Sequence, residues 1–411
     1  MRLATLLVAV IGYPGSVSAG GEGPDASMFS FSGFGTLGAV HSNEDQADFT
    51  SILKPNGAGY THQWSTDVDS RIAGQINARF TSQLSAMVQV ISEQIYDNTY
   101  RPRVEWANLK YQPTPEVSFR AGRIVLPAFL VSDFRKVGYA NPWVRPPEEV
   151  YTLSPVNNSD GVDANYRLLA GSFVHSVSAS YGKAEVKVPG GTTADVRHLW
   201  TITESVEYGA AMAHLSFSQA EFTFHQDSLE ALFNALRQFG PQGNALAAKY
   251  DVDDKVIRFI ALGAMYDPGG WFVMGEWGRR DLNSVFGTST AWYLSGGYRL
   301  AQFTPYLTYA EVTANSNTSD PGLTVSALPA FLAGPGTALN AGLNAALGTI
   351  AVQRTTSVGV RWDFVKNLDL KLQYDYMRLG AGSPGTLSNL QPGFQPGGSV
   401  SLFSAVIDFV L

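Results

Sequence analysis

Apolar and polar residues alternate along most of the chain, and this period of two predicts β-strands with one oily face. The pattern is clearest at the C-terminal end, where Phe403, Ala405, Ile407, Phe409 and Leu411 are apolar at every second position. Similar strands are predicted near 71–80, 84–90, 107–111, 117–121, 260–266, 271–277, 292–300, 303–309, 358–364 and 368–376, with weaker ones at 28–40, 161–168, 173–182, 196–206 and 211–225. The total is about sixteen strands, the size of a large membrane barrel, although the pattern leaves eighteen open.

The connections between these strands alternate between short and long. Short turns are predicted near 81–83, 112–116, 169–172, 207–210, 267–270, 301–302 and 365–367. Long loops are predicted near 42–68, 92–103, 125–160, 184–195, 226–256, 281–289, 313–353 and 379–398. A barrel in a membrane has one end of tight turns and one end of long loops, whereas a soluble sandwich has no reason to alternate in this way.

The predicted fold class is therefore all-β, a transmembrane antiparallel barrel. In hydrocarbon every backbone amide must find a partner, so strands can span a membrane only as a closed barrel. Closure requires the C-terminal strand to pair with the strand at 28–40. A barrel of this size has a lumen too wide for its own side chains to fill, so we expect it to hold water.

The N-terminal segment and the composition support an exported membrane protein. Residues 1–19 have the three parts of a secretory signal: Arg2, an apolar run from Leu3 to Ile11, and small residues at Val17-Ser18-Ala19. We therefore expect a cleaved signal peptide, with 20–411 as a single barrel domain. The chain has no cysteine, which excludes disulfides, and its net charge of −7 argues against a nucleic-acid partner.

Together, the strands, the loop alternation and the terminal strand resemble the trimeric general porins of Gram-negative bacteria over essentially all of 20–411. The usual terminal residue of that family is Phe, and Leu411 stands in its place here. The resemblance implies an outer-membrane location among membrane lipids and lipopolysaccharide, and a homotrimer. It also implies recognition by the barrel-assembly machinery through the closing strand, which carries Phe403, Ile407, Phe409 and Leu411.

The same resemblance predicts a constriction in the barrel. In that family the loop after strand five folds inward, and here it is the segment 125–160. Between Leu126 and Tyr151 it carries the charged residues Asp133, Arg135, Lys136, Arg145, Glu148 and Glu149. The basic candidates for the opposite wall are Arg71, Arg79, Lys110, Arg120 and Arg123.

Opposed charges of this kind would create a transverse field and a mild preference for anions. The alternative is that each arginine pairs with a neighbouring carboxylate and holds the loop in place.

Catalytic patterns are absent from the sequence. The six histidines show no metal-ligand spacing, and there is neither a serine elbow nor a Walker loop. We therefore expect no enzyme activity, no cofactor and no metal, and predict a channel for passive diffusion of ions and small hydrophilic solutes. The alternatives are a substrate-selective channel for organic acids or sugars and, from another class, a barrel enzyme or adhesin. The roles of the loops at 226–256 and 313–353, each with a helical stretch, stay open.

Overall fold

A computed structural model describes residues 27–51 and 54–411, so the predicted signal peptide at 1–19 lies outside the described residues. Sixteen antiparallel strands in the described part form one closed sheet. They are β1 Phe29–Ser42, β2 Arg71–Arg79, β3 Leu84–Glu93, β4 Arg103–Tyr111, β5 Val117–Val125, β6 Asn158–Ala170, β7 Phe173–Val188, β8 Thr192–Tyr208, β9 Ala211–His225, β10 Lys255–Tyr266, β11 Trp271–Leu282, β12 Ser289–Tyr298, β13 Phe303–Ala314, β14 Gln353–Val365, β15 Leu368–Leu379 and β16 Ser399–Val410. The two-residue strand Trp64–Ser65 extends this sheet beside β1. The predicted all-β antiparallel barrel of sixteen strands is confirmed.

The barrel closes where the sequence predicts it to close. Strand β16 pairs with the second half of β1, from Phe34 opposite Val410 to Ser42 opposite Leu402. The first half of β1 pairs with β2. At the seam the ring of Phe409 lies over Gly35, and a side chain at Gly35 would overlap this ring.

The two faces of the wall differ as the alternation predicts. Apolar side chains project outward and are strongly exposed, among them Phe31 at 74% and Leu37 at 66%. On β16 the outward Phe403 and Ile407 are exposed, whereas the inward Asp408 is fully buried. An apolar exterior with polar groups inside is the arrangement that lipid requires.

The seven short turns and seven of the eight long loops lie where the sequence predicts them. The exception is 184–195, where the prediction of a long loop is wrong. Strands β7 and β8 continue to Val188 and from Thr192, so only three residues connect them. The outward positions here carry Lys183, Glu185 and Lys187 instead of apolar residues, which hides the strand pattern. With 16 and 17 residues, both strands exceed the roughly ten residues that a membrane strand needs.

The described residues contain four α-helices, all in long loops. The first, α1, is the single turn Glu148–Tyr151; the others are α2 Asp227–Arg237, α3 Gly240–Tyr250 and α4 Ala330–Leu347. Helices α2 to α4 share an apolar core that includes Phe233, Leu236, Leu343 and Leu347. Among the described residues, none of the helices has the length and hydropathy needed to cross a bilayer.

Candidate functional site

The segment between β5 and β6, residues 126–157, lies inside the barrel, and we refer to it as the lumen loop. Its groups bond to inward-facing side chains from several strands. The Leu130 amide donates to Glu276 on β11 at 2.7 Å, and Trp143 Nε1 donates to Ser295 on β12 at 2.8 Å. The Val144 amide donates to Gln373 on β15 at 3.1 Å. The lumen loop is therefore held by hydrogen bonds to β11, β12 and β15.

Apolar packing holds one half of the lumen loop against the wall. Phe129 lies 4.5 Å from the ring of Tyr151 and 5.1 Å from that of Phe259 on β10, while Trp143 meets Tyr293 on β12 edge to face at 5.7 Å. These inward-facing aromatic residues of β10 and β12 were not identified from the sequence as site residues. The available signal was that the inward positions of β10 are apolar and that those of β12 and β13 include Tyr293 and Tyr306.

Arg145 forms the first of three ionic anchors of the lumen loop. Its guanidinium contacts Asp69 at 2.6 Å and Asp375 at 3.4 Å and donates to Ser404 Oγ at 2.8 Å. All three charged side chains are at least 95% buried. Burial alone lowers the pKa of Arg145, but the nearby carboxylates outweigh burial and raise it. The anchor joins the lumen loop to the loop after β1, to β15 and to β16.

Lys371 forms the second anchor and is fully buried on β15. Its ammonium contacts Asp408 at 2.8 Å and donates to the Gly138 carbonyl at 2.6 Å. A methyl group at Gly138 would overlap the Asp408 carboxylate, so the close approach of the lumen loop to β16 requires glycine. Beside it, Arg361 on β14 donates to the Tyr139 carbonyl at 2.6 Å.

Lys136 forms the third anchor, on the opposite wall. Its ammonium contacts Glu93 on β3 at 2.8 Å and Glu105 on β4 at 3.0 Å. Arg103 also pairs with Glu93, and Arg71 lies 3.9 Å from the same carboxylate. Two of the predicted basic residues, Arg71 and Lys136, are thus brought together around one buried glutamate.

The predicted basic wall is divided among several environments. Arg120 on β5 contacts Asp163 on β6 at 2.6 Å. Lys110 lies opposite Arg120 in the β4–β5 register and is half-buried, while Arg79 is exposed at the turn end of β2. Paired carboxylates therefore account for Arg71 and Arg120, as the alternative interpretation holds.

Arg123 is a correction to the predicted wall. It lies three positions after Arg120, and an odd spacing places two strand residues on opposite faces. Arg123 shares the outward face of β5 with the exposed Phe119 and pairs with Asp160 on the outside of β6 at 2.7 Å.

Two acidic residues of the lumen loop, Glu148 and Glu149, face β13 to β15, on the same side as Arg145. Glu149 accepts a hydrogen bond from Gln353 on β14 at 2.6 Å and another from Thr355. Glu148 and Glu149 both line a small cavity against β13 to β15. Burial raises the pKa of Glu148 to about 8, and its Oε2 atom has no hydrogen-bond partner among the described residues. Burial also raises the pKa of Asp133.

Arg135 differs from the other cations of the lumen loop. Its guanidinium lies 5.3 Å from the centre of the Tyr151 ring, and within the described part of the chain no carboxylate comes within 4.0 Å of it. The arrangement is therefore not an acidic loop facing a basic ladder.

The described ranges also hold no cluster of three or more His, Asp or Glu side chains suited to a metal ion.

The most accessible part of the inner wall runs along β4 to β7. On β11 to β16 nearly all inward side chains are buried beneath the lumen loop. On β4 to β7 several stay half-buried, namely Lys110, Arg120, Asn165, Ser176, Ser178 and Ser180. Water can therefore reach a polar strip on this side of the lumen.

Comparison with known proteins shows a similar fold in solved structures but no match by sequence. No family model and no curated protein matches the chain. Among solved structures, OmpF of Salmonella typhi in complex with daunomycin superposes with a TM-score of 0.56 at 11% identity, over 93% of this chain and 97% of that one. An anion-selective porin from Comamonas acidovorans gives 0.55 at 12% identity, over 93% and 99% of the two chains. The outer-membrane channel DcaP of Acinetobacter baumannii gives 0.54 at 13% identity, over 93% and 97%. The chain thus has the sixteen-stranded fold of the outer-membrane porins.

Proposed function

We propose that this protein is an outer-membrane channel through which ions and small hydrophilic solutes diffuse passively. The observation that carries the proposal is a closed barrel with an apolar exterior, in which the lumen loop leaves a polar strip along β4 to β7 accessible to water. Because the loop fills much of the lumen, only small solutes would pass. The signal-like segment at 1–19 and the C-terminal strand β16 would direct export and barrel assembly.

A mild anion preference belongs to the same proposal. Lys110 and Arg79 face inward and, within the described ranges, have no carboxylate within 4.0 Å. The arginines around them are paired with Asp163 and Glu93 and contribute less net charge. Uncompensated positive charge along a narrow path raises the local concentration of anions.

Planar-bilayer recording of the purified, folded protein tests this function. We expect stepwise conductance and, across a potassium chloride gradient, a reversal potential shifted toward chloride. Lys110→Met should reduce that shift, whereas Arg258→Met on the outer face should leave it unchanged. A folded barrel without conductance would contradict the channel, and an unchanged reversal potential in Lys110→Met would contradict the source of selectivity.

A trimer is also part of the proposal. The outward face of β1 to β4 carries small residues, among them Gly33, Gly74, Ala78 and Ala107, between large exposed side chains. Small residues let two barrel walls approach closely. Chemical cross-linking in detergent should give a trimer band that Gly74→Trp weakens. A monomer as the sole product would refute the assembly.

A substrate-selective channel for organic acids or sugars is the second candidate. It is favoured by Arg135, a cation of the lumen loop that has no carboxylate within 4.0 Å among the described residues. Uptake into liposomes separates the two functions, because a selective channel saturates with one solute class whereas a general channel depends on solute size alone.

A further inference from the structure

Two titratable side chains lie on the outer face of the barrel, where lipid is expected. His175 on β7 and Glu204 on β8 are two positions from the exposed outward residues Val177 and Ile202, and this spacing places them on the same face. His175 Nδ1 lies 3.1 Å from Glu204 Oε1, so the two side chains are hydrogen-bonded to each other. They are 33% and 44% exposed, and we refer to them as the wall pair.

The wall pair lies in the middle of the lipid-facing band. Tyr208, at the turn end of β8, and Trp200, further along the strand, are outward aromatic residues, and Tyr181 on β7 lies opposite Trp200. Glu204 is midway between Tyr208 and Trp200, about 13 Å along the strand from each. Outward aromatic residues are typical of the two membrane interfaces of a barrel. The wall pair is therefore well inside the hydrocarbon.

The wall pair differs from the other charged residues of the outer face. Among the described residues, no other outward strand position carries His, Asp, Glu, Lys or Arg at this depth; the remaining ones lie near the loop end, as at Arg279, Glu311 and Arg354. Within the same part of the chain, His175 Nε2 and Glu204 Oε2 have no further hydrogen-bond partner. Lipid offers none either, so a polar pair at this depth is unfavourable unless another molecule covers it.

We propose that the wall formed by β7 to β9 binds a second copy of this chain, with the wall pair of one protomer bonded to that of the other. In the ionic pair, and equally when the Glu204 O–H donates to His175 Nδ1, the Nε2–H group is left as a donor and Glu204 Oε2 as an acceptor. The wall pair is therefore complementary to itself. A two-fold axis along the membrane normal keeps every residue at its depth and brings each Nε2–H to the Oε2 atom of the other protomer.

The surface around the wall pair allows a second barrel to approach. Four exposed alanines face outward on the surrounding strands β6, β7, β9 and β10, namely Ala164, Ala179, Ala213 and Ala264. Small residues let two membrane-embedded surfaces come close, and polar groups between them then find partners across the contact. The proposed trimer uses β1 to β4, so this second contact would join one trimer to the next.

Disulfide cross-linking of the folded protein in lipid vesicles tests this contact, and the chain has no cysteine of its own to interfere. Val206 lies opposite His175 in the β7–β8 register, so Val206→Cys places a thiol beside the two-fold axis. Oxidation with copper phenanthroline should give a covalent dimer on a non-reducing gel. The control is Leu294→Cys on the outer face of β12, four positions from Tyr298 and thus at similar depth, which should give no dimer.

Removing the wall pair separates a specific contact from crowding in the vesicle. Glu204→Leu in the Val206→Cys background makes the wall more apolar, yet it should lower the dimer yield about fivefold, and His175→Leu should do the same. An unchanged yield in Glu204→Leu, or no dimer from Val206→Cys, would overturn the proposal. If Val206→Cys does not fold, Val177→Cys replaces it, because Val177 lies opposite Glu204 and also next to the axis. The cross-link requires neither conductance nor contact through β1 to β4, so its failure would leave the proposed channel and trimer intact.

Discussion

Replacing Arg145 by Met should release the lumen loop from the wall. Arg145 contacts Asp69 at 2.6 Å and Asp375 at 3.4 Å, and both carboxylates are at least 95% buried. Methionine occupies a similar space but carries no charge, so the change leaves two carboxylates buried without their cation. The remaining compensation of Asp69 comes from Arg71 and Lys54, which lower its pKa more weakly than Arg145 does.

The size of the effect follows from the burial of the anchor. Removing one partner of a buried ion pair typically costs about 3–5 kcal/mol, because the other charge stays desolvated. Because Arg71 and Lys54 still compensate Asp69 in part, we expect a cost near the lower end of this range, about 3 kcal/mol. Since about 1.4 kcal/mol is a factor of ten, the population of released loop should rise by roughly two orders of magnitude.

Single-channel recording together with thermal unfolding measures this release. Arg145→Met should give a larger and noisier conductance and a lower unfolding temperature. Arg197→Met, which breaks an exposed ion pair with Asp254, is the matched control and should change neither. Converting Asp69 and Asp375 to Asn in the Arg145→Met background should restore part of the stability, because neutral amides are less costly to bury. Conductance and stability identical to those of the original protein would refute the reasoning.

Three further perturbations test the lumen loop and the seam. Burial raises the pKa of Glu148 from 4.5 to about 8. The Glu148 carboxyl therefore holds its proton more tightly in the docked loop than in a released loop. Docking of the lumen loop should weaken as the pH rises from 4.5 to 8, because Glu148 then loses this proton. Conductance recorded from pH 5 to pH 9 should therefore increase with pH in the original protein and stay flat in Glu148→Gln; equal profiles would contradict this assignment. Gly138→Ala places a methyl group against Asp408. It should reduce the free energy of unfolding by about 1–3 kcal/mol, lower the unfolding temperature and open the constriction. An unchanged melting curve would show that the loop can shift freely. Gly35→Val should overlap the Phe409 ring at the seam and reduce the yield of folded barrel on heat-modifiability gels. Adding Phe409→Ala should restore part of this yield. A full yield in the single variant would rule out this contact.

The barrel could be predicted from the sequence because its pattern is local. Each strand shows its two faces through residues two positions apart, and lipid enforces the difference on the outside. The pairing of β16 with β1 follows from closure, since an open edge cannot exist in hydrocarbon. The one misread loop, 184–195, lies where Lys183, Glu185 and Lys187 occupy outward positions, and there the local rule no longer applies.

The path of the lumen loop could not be predicted in this way, because its contacts join residues far apart in the chain. Arg145 meets Asp375 across 230 positions, and Gly138 meets Lys371 across 233. The sequence shows that charges exist in the loop and on the wall, but not which of them pair. The assumption of one basic wall failed for Arg123, where the period of two already argued against it.

The inward positions nevertheless carry information that strand counting does not use. On β6 and β7 they hold Asn165, Ser176 and Ser178, small polar residues that can stay hydrated, and this wall is half-exposed. On β10 and β12 they hold Phe259 and Tyr293, which would be unfavourable in contact with a water-filled lumen and are instead buried by the lumen loop. Large apolar inward residues therefore mark part of the wall that the lumen loop covers, whereas small polar residues occur on the half-exposed wall and also beneath the loop, as at Ser295 and Ser404. Inward aromatic residues, taken strand by strand, thus indicate which side of the lumen a loop covers.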